Sequence, residues 1–543
     1  MPLLDVSPAP RVPLRRGTFR GTRFWFPALA GATAALAGVG AAELTAALFA
    51  PTAGPIVSVG ALLIDLAPAG VKDFMIAVFG TADKIALVVL IGLVLFALSL
   101  LAGVLEYRRP PFGRVLVVVA GAIALFAALS RASASSFDAL PSVVAMAVAA
   151  IVLTVLMTKL RAPGLLDGER PPGRLTLDGE RAPDPEAGLD RRRFLTWTGV
   201  SAGVGFLALV GGQVMLAGTR AADAARALFT LPAASAAAAP IAAGASFDID
   251  GLAPIITPNA DFYRIDTALQ VPRIDPSTWR LKITGMVENE VEISFADLLA
   301  LPLEESVTTL ACVSNYVGGD LIGNAKWLGY PIRDLLARAN PSADADMVLS
   351  TSQDGFTAGT PIEALTDERN AILAVGMNDE PLPLEHGYPV RMVVPGLYGY
   401  VSATKWVVEL KLTRFDQEQG YWTPRGWSEL GPVKLQSRID VPRATAPLSA
   451  GPITVAGVAW SQHVGVSGVE VQVDDGPWEA ATLADAISID TWRQWMYTWN
   501  ATAGGHTVRV RATDAEGLVQ TAATADVAPD GATGHHAIRV NVS

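Results

Sequence analysis

Long apolar runs dominate roughly the first 220 residues, and short alternating ones take over afterwards. Phe24 to Ala50 holds Glu43 as its only charge, Ile85 to Val104 holds none, and Val115 to Leu129 and Leu140 to Leu160 follow. These lengths match or approach the roughly 20 residues that carry a helix across a bilayer. Thr198 to Gly218 is a fifth, Gly-rich run. Pro55 to Gly80 is also apolar, but it carries Asp65, Lys72 and Asp73 among Gly and Pro, and reads as an extracytoplasmic or re-entrant helical excursion. Arginines set the orientation. Arg11, Arg15, Arg16, Arg20 and Arg23 precede the first run, Arg108, Arg109 and Arg114 separate the second from the third, and Lys159 and Arg161 close the fourth. A cytoplasmic amino terminus puts all of them inside.

Residues 161–193 read as a polar cytoplasmic linker rich in Pro, Gly and charge, ending in Asp190-Arg-Arg-Arg-Phe-Leu195. That ending looks like a twin-arginine export signal inside the chain and serves equally as the positive flank of a last span, 194–218. Residues 219–246 are Ala-rich and predict a tether. Residues 247–440 then mix helix and strand. Trp279 to Val287 alternates as a strand, Ser294 to Pro302 predicts a capped short helix, Ile332 to Ala339 an amphipathic helix, and Asp346 to Ser350 another strand. From Val441 to the end the pattern is strands alone: Ile453 to Trp460, Val469 to Val473, Trp492 to Trp499, His506 to Ala512 and Ala537 to Val542. This predicts a β-sandwich with Trp478, Trp492 and Trp495 in its core. The architecture is thus multi-domain: an N-terminal helical transmembrane region with four spans in residues 1–160 and one more after the linker, an α+β domain, and a C-terminal sandwich.

An apolar content of 51% and a mean hydropathy of +0.37 agree with membrane spans and lipid contact. The single cysteine excludes an intrachain disulfide. The five histidines, His386, His463, His506, His535 and His536, all lie in the last third, so the spans offer no imidazole to a b-type haem, and there is no Cys-x-x-Cys-His. No haem is expected in this chain, and electrons would pass to a separate carrier. Residues 1–217 hold 19 basic and 14 acidic side chains; against the whole-chain −11 this leaves −16 for residues 218–543. Such a balance argues against nucleic acid and favours a basic redox partner, with rates that fall as salt rises.

The chemistry centres on Thr308 to Leu335. Cys312 stands after a short apolar run and before Asn315 and a Gly-rich segment, the pattern of a strand end opening into a loop. A lone thiolate is the protein's best donor to a soft or high-valent metal whose other ligands come from a cofactor. Cys312-Val-Ser-Asn315, Gly323 to Pro331 and His386-Gly-Tyr-Pro-Val-Arg391 through Ser402-Ala-Thr-Lys405-Trp406 together resemble the sulfite oxidase family of molybdopterin enzymes, from about Asp248 to the C-terminus. The resemblance implies a molybdenum–molybdopterin cofactor with Cys312 as the one protein ligand to the metal, a catalytic α+β domain in 247–440, and an immunoglobulin-like dimerisation domain in 441–543, compatible with a homodimer. It further implies cofactor contacts from Asn315, His386, Arg391, Ser402, Thr404 and Lys405, and, more loosely, from Asn259, Tyr263, Arg264 and Ser352. A pterin phosphate wants such converging cations in an apolar run.

Typical members carry arginines just after Cys-x-x-Asn, where this chain has Tyr316-Val317. A small dianion wants bidentate cationic capture. Arg264 is the substitute cation, and Tyr316 beside Tyr263 and Phe262 suits a less charged substrate. The reading is a molybdenum oxidoreductase of the inner membrane, its catalytic part periplasmic, transferring oxygen to or from a small substrate or sulfoxide and exchanging electrons with a cytochrome or quinone-linked protein. A non-catalytic binding module on the same scaffold and a cysteine-nucleophile hydrolase stay open at this point. With five spans and an inside amino terminus, reporter fusions at Pro171 and Ser246 should report opposite sides of the membrane; the same side for both would overturn the topology.

Overall fold

The computed structural model describes residues 22–51, 53–68, 71, 75, 78–79, 83–131, 134–161, 185–217 and 226–543. The chain divides into two compact units, Met1–Gly218 and Thr219–Ser543.

The first unit is helical: α1 (Thr22–Phe49), α2 (Pro55–Leu66), α3 (Asp83–Arg108), α4 (Phe112–Leu129), α5 (Ala139–Leu160) and α6 (Pro185–Ala217). Among the described residues five helices are long and apolar enough to cross a membrane. The 12-residue α2 is not, since a rise of 1.5 Å per residue gives it only about 18 Å. Helix α1 packs along α3, α5 and α6. Its contacts are made by small residues that let backbones touch: a Cβ on Gly31 would come within 2.0 Å of the Ser99 carbonyl oxygen on α3, and one on Gly40 within 2.0 Å of the Gly205 carbonyl oxygen on α6. Helix α6 corrects one boundary. It starts at Pro185, so the end of the expected linker, with its arginine triplet, is the first part of the last helix; proline at the first helical position is pre-set for that start. The remainder of the linker, 162–184, and Arg11, Arg15, Arg16 and Arg20 lie outside the described residues.

The second unit opens with a mixed sheet and an antiparallel one. The first holds β1 (Arg280–Gly285), β2 (Val291–Ser294), β5 (Met347–Ser352), β6 (Thr357–Pro361) and β10 (Val407–Thr413) in the order β2-β1-β10-β5-β6, with β1 and β10 parallel. The second holds β3 (Glu304–Ala311), β4 (Ile322–Pro331), β7 (Ile372–Met377) and β8 (Glu380–Pro381) in that order, with β9 (Arg391–Val393) also on β7. One core joins them, from Leu281, Ile283, Leu410 and Leu412 to Tyr330, Leu373, Val375 and Met392. Helix α7 (Phe295–Leu299) starts as its sequence demands, with the Ser294 hydroxyl accepting from the Asp297 amide and the Asp297 carboxylate returning the contact. Helix α8 (Ile332–Ala339) buries Ile332, Leu335, Leu336 and Ala339, one stripe at helical spacing.

Two four-stranded antiparallel sheets complete the unit: β11 (Gln436–Val441), β12 (Gly451–Trp460), β16 (Arg493–Ala501) and β15 (Thr482–Leu483) in one, β14 (Trp478–Ala480), β13 (Val466–Val473), β17 (Gly504–Asp514) and β18 (His536–Val542) in the other. Their inner faces share Val455, Val471, Trp495, Trp499, Val508 and Val510. Because β11 pairs with β12, this layer begins at Gln436, a few residues before the boundary read from composition.

Two expectations change. Trp495 is in the core between the two sheets, Trp492 is buried instead in a separate cluster with Ala311, Val313, Ile322 and Tyr398, and Trp478 is only partly buried, with Arg511 4.3 Å over its ring and His535 against its edge. The Ala-rich segment is laid onto the domain from Arg226 onward instead of hanging free. Ala236 bridges to Glu304 in parallel, the Glu305 amide donates to the Ala236 carbonyl (2.8 Å), the Asp485 amide donates to Gly244, and Arg226 donates to the carbonyls of Pro381 and Leu382. A segment with few large side chains is held here through its backbone. Truncating Trp495 to Ala should cost about 3–5 kcal/mol in a denaturant titration, whereas Trp478→Ala should cost about 1 kcal/mol or less; equal costs would contradict this assignment of core and surface.

Candidate active site

Strand β3 ends at Ala311 and delivers Cys312 into the loop that turns to β4. The loop is stapled at its base. The Cys312 amide donates to the Leu321 carbonyl (2.9 Å), the Leu321 amide to Asn315 Oδ1 (2.9 Å), and the Asn315 amide back to the Cys312 carbonyl (3.1 Å). Gly319 sits so close that a Cβ there would lie 2.5 Å from Asn315 Oδ1. Asn315 therefore acts on the loop, not on the pocket. Burial pushes the Cys312 thiol up, against hydrogen bonds from Ser314 that favour the thiolate. Such a thiol stays protonated until a cation takes the proton's place.

Strand β9 and the turns around it supply the charge. Arg391 is 5% exposed; its Nε donates to the Met392 carbonyl (3.3 Å), one terminal nitrogen donates to the His386 carbonyl (3.2 Å), and its carbon lies 5.1 Å over Trp327. Among the described residues no carboxylate pairs with it. Burial pulls it down to about 10, with Tyr263 opposing. His386 donates from Nε2 to the Asn259 carbonyl (3.3 Å), and burial, then Arg391 and Lys405, hold it down to about 3, so the ring is neutral at ordinary pH. Lys405 Nζ donates to Asp266 Oδ2 (2.7 Å) and to the Glu385 carbonyl (3.0 Å); burial lowers it to about 8 while Asp266 opposes. Arg264 reaches the same Asp266 oxygen (2.9 Å) from the exposed side.

These groups open onto one pocket, about 890 Å³ counted out to its mouth. Of the residues singled out from sequence, Tyr263, Cys312, Ser352, His386, Arg391 and Lys405 line it, with Phe262 and Asp354. Ser352 Oγ is buried without a hydrogen-bond partner. Six expected residues are placed elsewhere, each for a local reason. Asn259 spends its side chain on the Met377 carbonyl and on Asn378. Asn315 staples its loop, Ser402 Oγ donates to Tyr398 and Leu397, and Thr404 Oγ1 shares a hydrogen bond with Ser350 (2.7 Å). Tyr316 is 54% exposed on the loop, and Arg264 is outside the lining with Asp266 between it and Lys405. Sequence reasoning missed Asp266, Phe356, Tyr400, Trp422 and Trp427, which also line the pocket. The Trp422 to Trp427 stretch carried no motif; only its density of aromatics marked it.

The arrangement places a soft donor, an uncompensated buried cation, an orphan hydroxyl and a neutral imidazole on one cavity. Each calls for a partner: a metal, an anion and hydrogen-bonding groups. Molybdopterin supplies all three kinds, so the residues present fit it.

Residues 268–422 match the family described as oxidoreductase molybdopterin binding domain. Mouse mitochondrial sulfite oxidase is 30% identical over 288 residues, 44% of this chain and 52% of that protein, so the chain spans about half the length of the sulfite oxidases it matches. The catalytic subunit of the protein-methionine-sulfoxide reductase MsrP of Campylobacter jejuni is 31% identical over 169 residues, 28% of this chain and 54% of that protein. The oxidoreductase YuiH of Bacillus subtilis is 31% identical over 157 residues, 29% of this chain and 76% of that protein. With a pocket whose donors fit the cofactor and a relative covered over three quarters of its length, the chain belongs to the sulfite oxidase family of molybdopterin-dependent oxidoreductases.

Proposed function

We propose that the chain is a membrane-anchored enzyme that transfers an oxygen atom to or from a small organic substrate such as a sulfoxide, and exchanges electrons with a separate carrier on the extracytoplasmic side. The observation that carries this is the convergence on one pocket of the one thiol, Cys312, with Arg391, a buried guanidinium that has no acid of its own among the described residues. Bound there, a molybdenum–pterin group supplies two-electron oxygen-atom transfer. Cys312 is the thiolate ligand. Arg391 and Lys405 are the cations for its phosphate and polar ring system, and Ser352 Oγ and the neutral His386 ring complete the hydrogen bonding. Tyr263, whose phenol burial holds protonated, donates a hydrogen bond to an oxygen in the pocket.

The five long helices support the anchor and the arginine pattern supports the outer placement; relatives of both kinds, sulfite oxidases and a sulfoxide reductase subunit, are similar to this chain, and it is Tyr316-Val317, with no cation after Cys-x-x-Asn, that supports a sulfoxide over sulfite. The two-sheet C-terminal layer is read as the immunoglobulin-like dimerisation domain of the family.

Three outcomes test this. Purified protein should carry stoichiometric molybdenum and pterin, and Cys312→Ser should keep its circular dichroism while losing activity by roughly 100-fold or more, beyond what changes around a metal ligand usually cost; unchanged turnover would refute the ligand assignment. Lys405 is a cation below about pH 8 and loses its proton above it, so pterin retention through a desalting column should fall between about pH 7 and 10. Lys405→Arg, still charged across that range, should abolish the fall. In steady-state assays, sulfoxides with a reduced dye should be turned over faster than sulfite with a cytochrome; efficient sulfite oxidation would sink the substrate reading.

A further inference from the structure

The cations of the pocket are all deep or neutralised. Arg391, Lys405 and His386 are each at least nine-tenths buried, Lys405 is paired with Asp266, and His386 is uncharged. The partly exposed side of the lining has a different character: Phe356, Tyr400 and Trp422, with the more buried Trp427 behind them and the Asp354 carboxylate beside them. The rings form a continuous wall. Trp422 and Trp427 lie 6.2 Å apart between centroids, Tyr400 and Trp427 5.9 Å, Tyr421 and Trp422 5.1 Å, and Phe356 and Tyr421 5.7 Å.

The wall is held rigid. The Tyr421 amide donates to the Thr357 carbonyl (3.0 Å), the Trp427 amide donates back to the Trp422 carbonyl (3.3 Å) across a turn completed by Gly426 at φ +94°, Arg425 stacks 3.7 Å over Tyr421, and the Tyr400 hydroxyl donates to the Ser428 carbonyl (2.8 Å). A pre-set aromatic surface binds apolar and aryl groups with little ordering cost. Among the described residues that line the pocket on this side none is a cation, Arg425 being outside the lining.

We propose that Phe356, Tyr400, Trp422 and Trp427 form a substrate-selecting wall that takes the aryl or alkyl substituent of an uncharged or cationic organic sulfoxide or thioether and disfavours small oxyanions. This rests on the oxygen-transfer reading above. In the reductive direction the S–O bond breaks, the oxygen leaves as water with two protons and two electrons from a reduced viologen dye or the external carrier, and the thioether is released.

The test uses the detergent-solubilised holoenzyme and its Trp422→Ala, Trp422→Leu and Trp422→Phe variants. With reduced viologen, wild type should prefer methyl phenyl sulfoxide over dimethyl sulfoxide by about tenfold or more in kcat/KM, a factor within reach of one aromatic contact. The Ala and Leu variants should lose most of that preference through KM with kcat little changed, and Phe should restore it. Calorimetric binding of methyl phenyl sulfone against dimethyl sulfone, as non-turnover probes, should show the same pattern. A preference for the aryl compounds that survives in both Ala and Leu variants, or is absent from wild type, overturns the wall. Wild type that reduces no sulfoxide yet still binds the aryl sulfone more tightly, in a manner lost on Trp422→Leu, overturns the oxygen-transfer reading and leaves the wall standing.

Discussion

A guanidinium buried without an acid is the constraint on which the catalytic domain depends. Moving a charge out of water costs several kcal/mol unless it is compensated, and among the described residues Arg391 meets two carbonyls and the face of Trp327. That leaves a standing demand for an anion at one point in the pocket. The surrounding structure serves it: Trp327 is fixed by its own indole bond to the Thr308 carbonyl, His386 is oriented by the Asn259 carbonyl and stays neutral, and the second cation, Lys405, is moderated by Asp266. The same β3–β4 hairpin that contributes Thr308 and Trp327 carries Cys312 in its loop, so the thiol and the seat of the cation are parts of one element.

The two units solve burial by different physics. In the helical unit, glycine and alanine let backbones meet. In the other unit, large side chains leave water for cores built between pairs of sheets. The pocket described above lies within the second unit.

Within the site, depth sorts the chemistry. The charged and hydrogen-bonding groups are the buried ones, where low dielectric strengthens them. Phe356, Tyr400 and Trp422 are the more exposed part of the lining.

The long apolar helices, the amphipathic stripe of α8, the cap at Ser294 and the strands of the last layer were legible in the chain, because each rests on a run of apolar residues, a periodicity or a cap that neighbouring residues impose on one another. Cys312, His386, Arg391 and Lys405 were singled out chiefly through the family resemblance of their motifs, and the structure brings them to one pocket. What the sequence could not decide is where a hydroxyl or amide spends its hydrogen bond. Ser402 and Thr404 lie within three residues of Lys405, yet both turn to nearby carbonyl and hydroxyl partners, while Ser352, distant in sequence, is left unpaired in the pocket. The helical start of α6, the docking of the Ala-rich segment along β3, and the meeting of Phe356, Tyr400, Trp422 and Trp427 were likewise settled by tertiary structure. Local sequence fixes which faces are apolar, but the partner of a polar atom and the shape of a cavity depend on segments that meet only when the chain has folded.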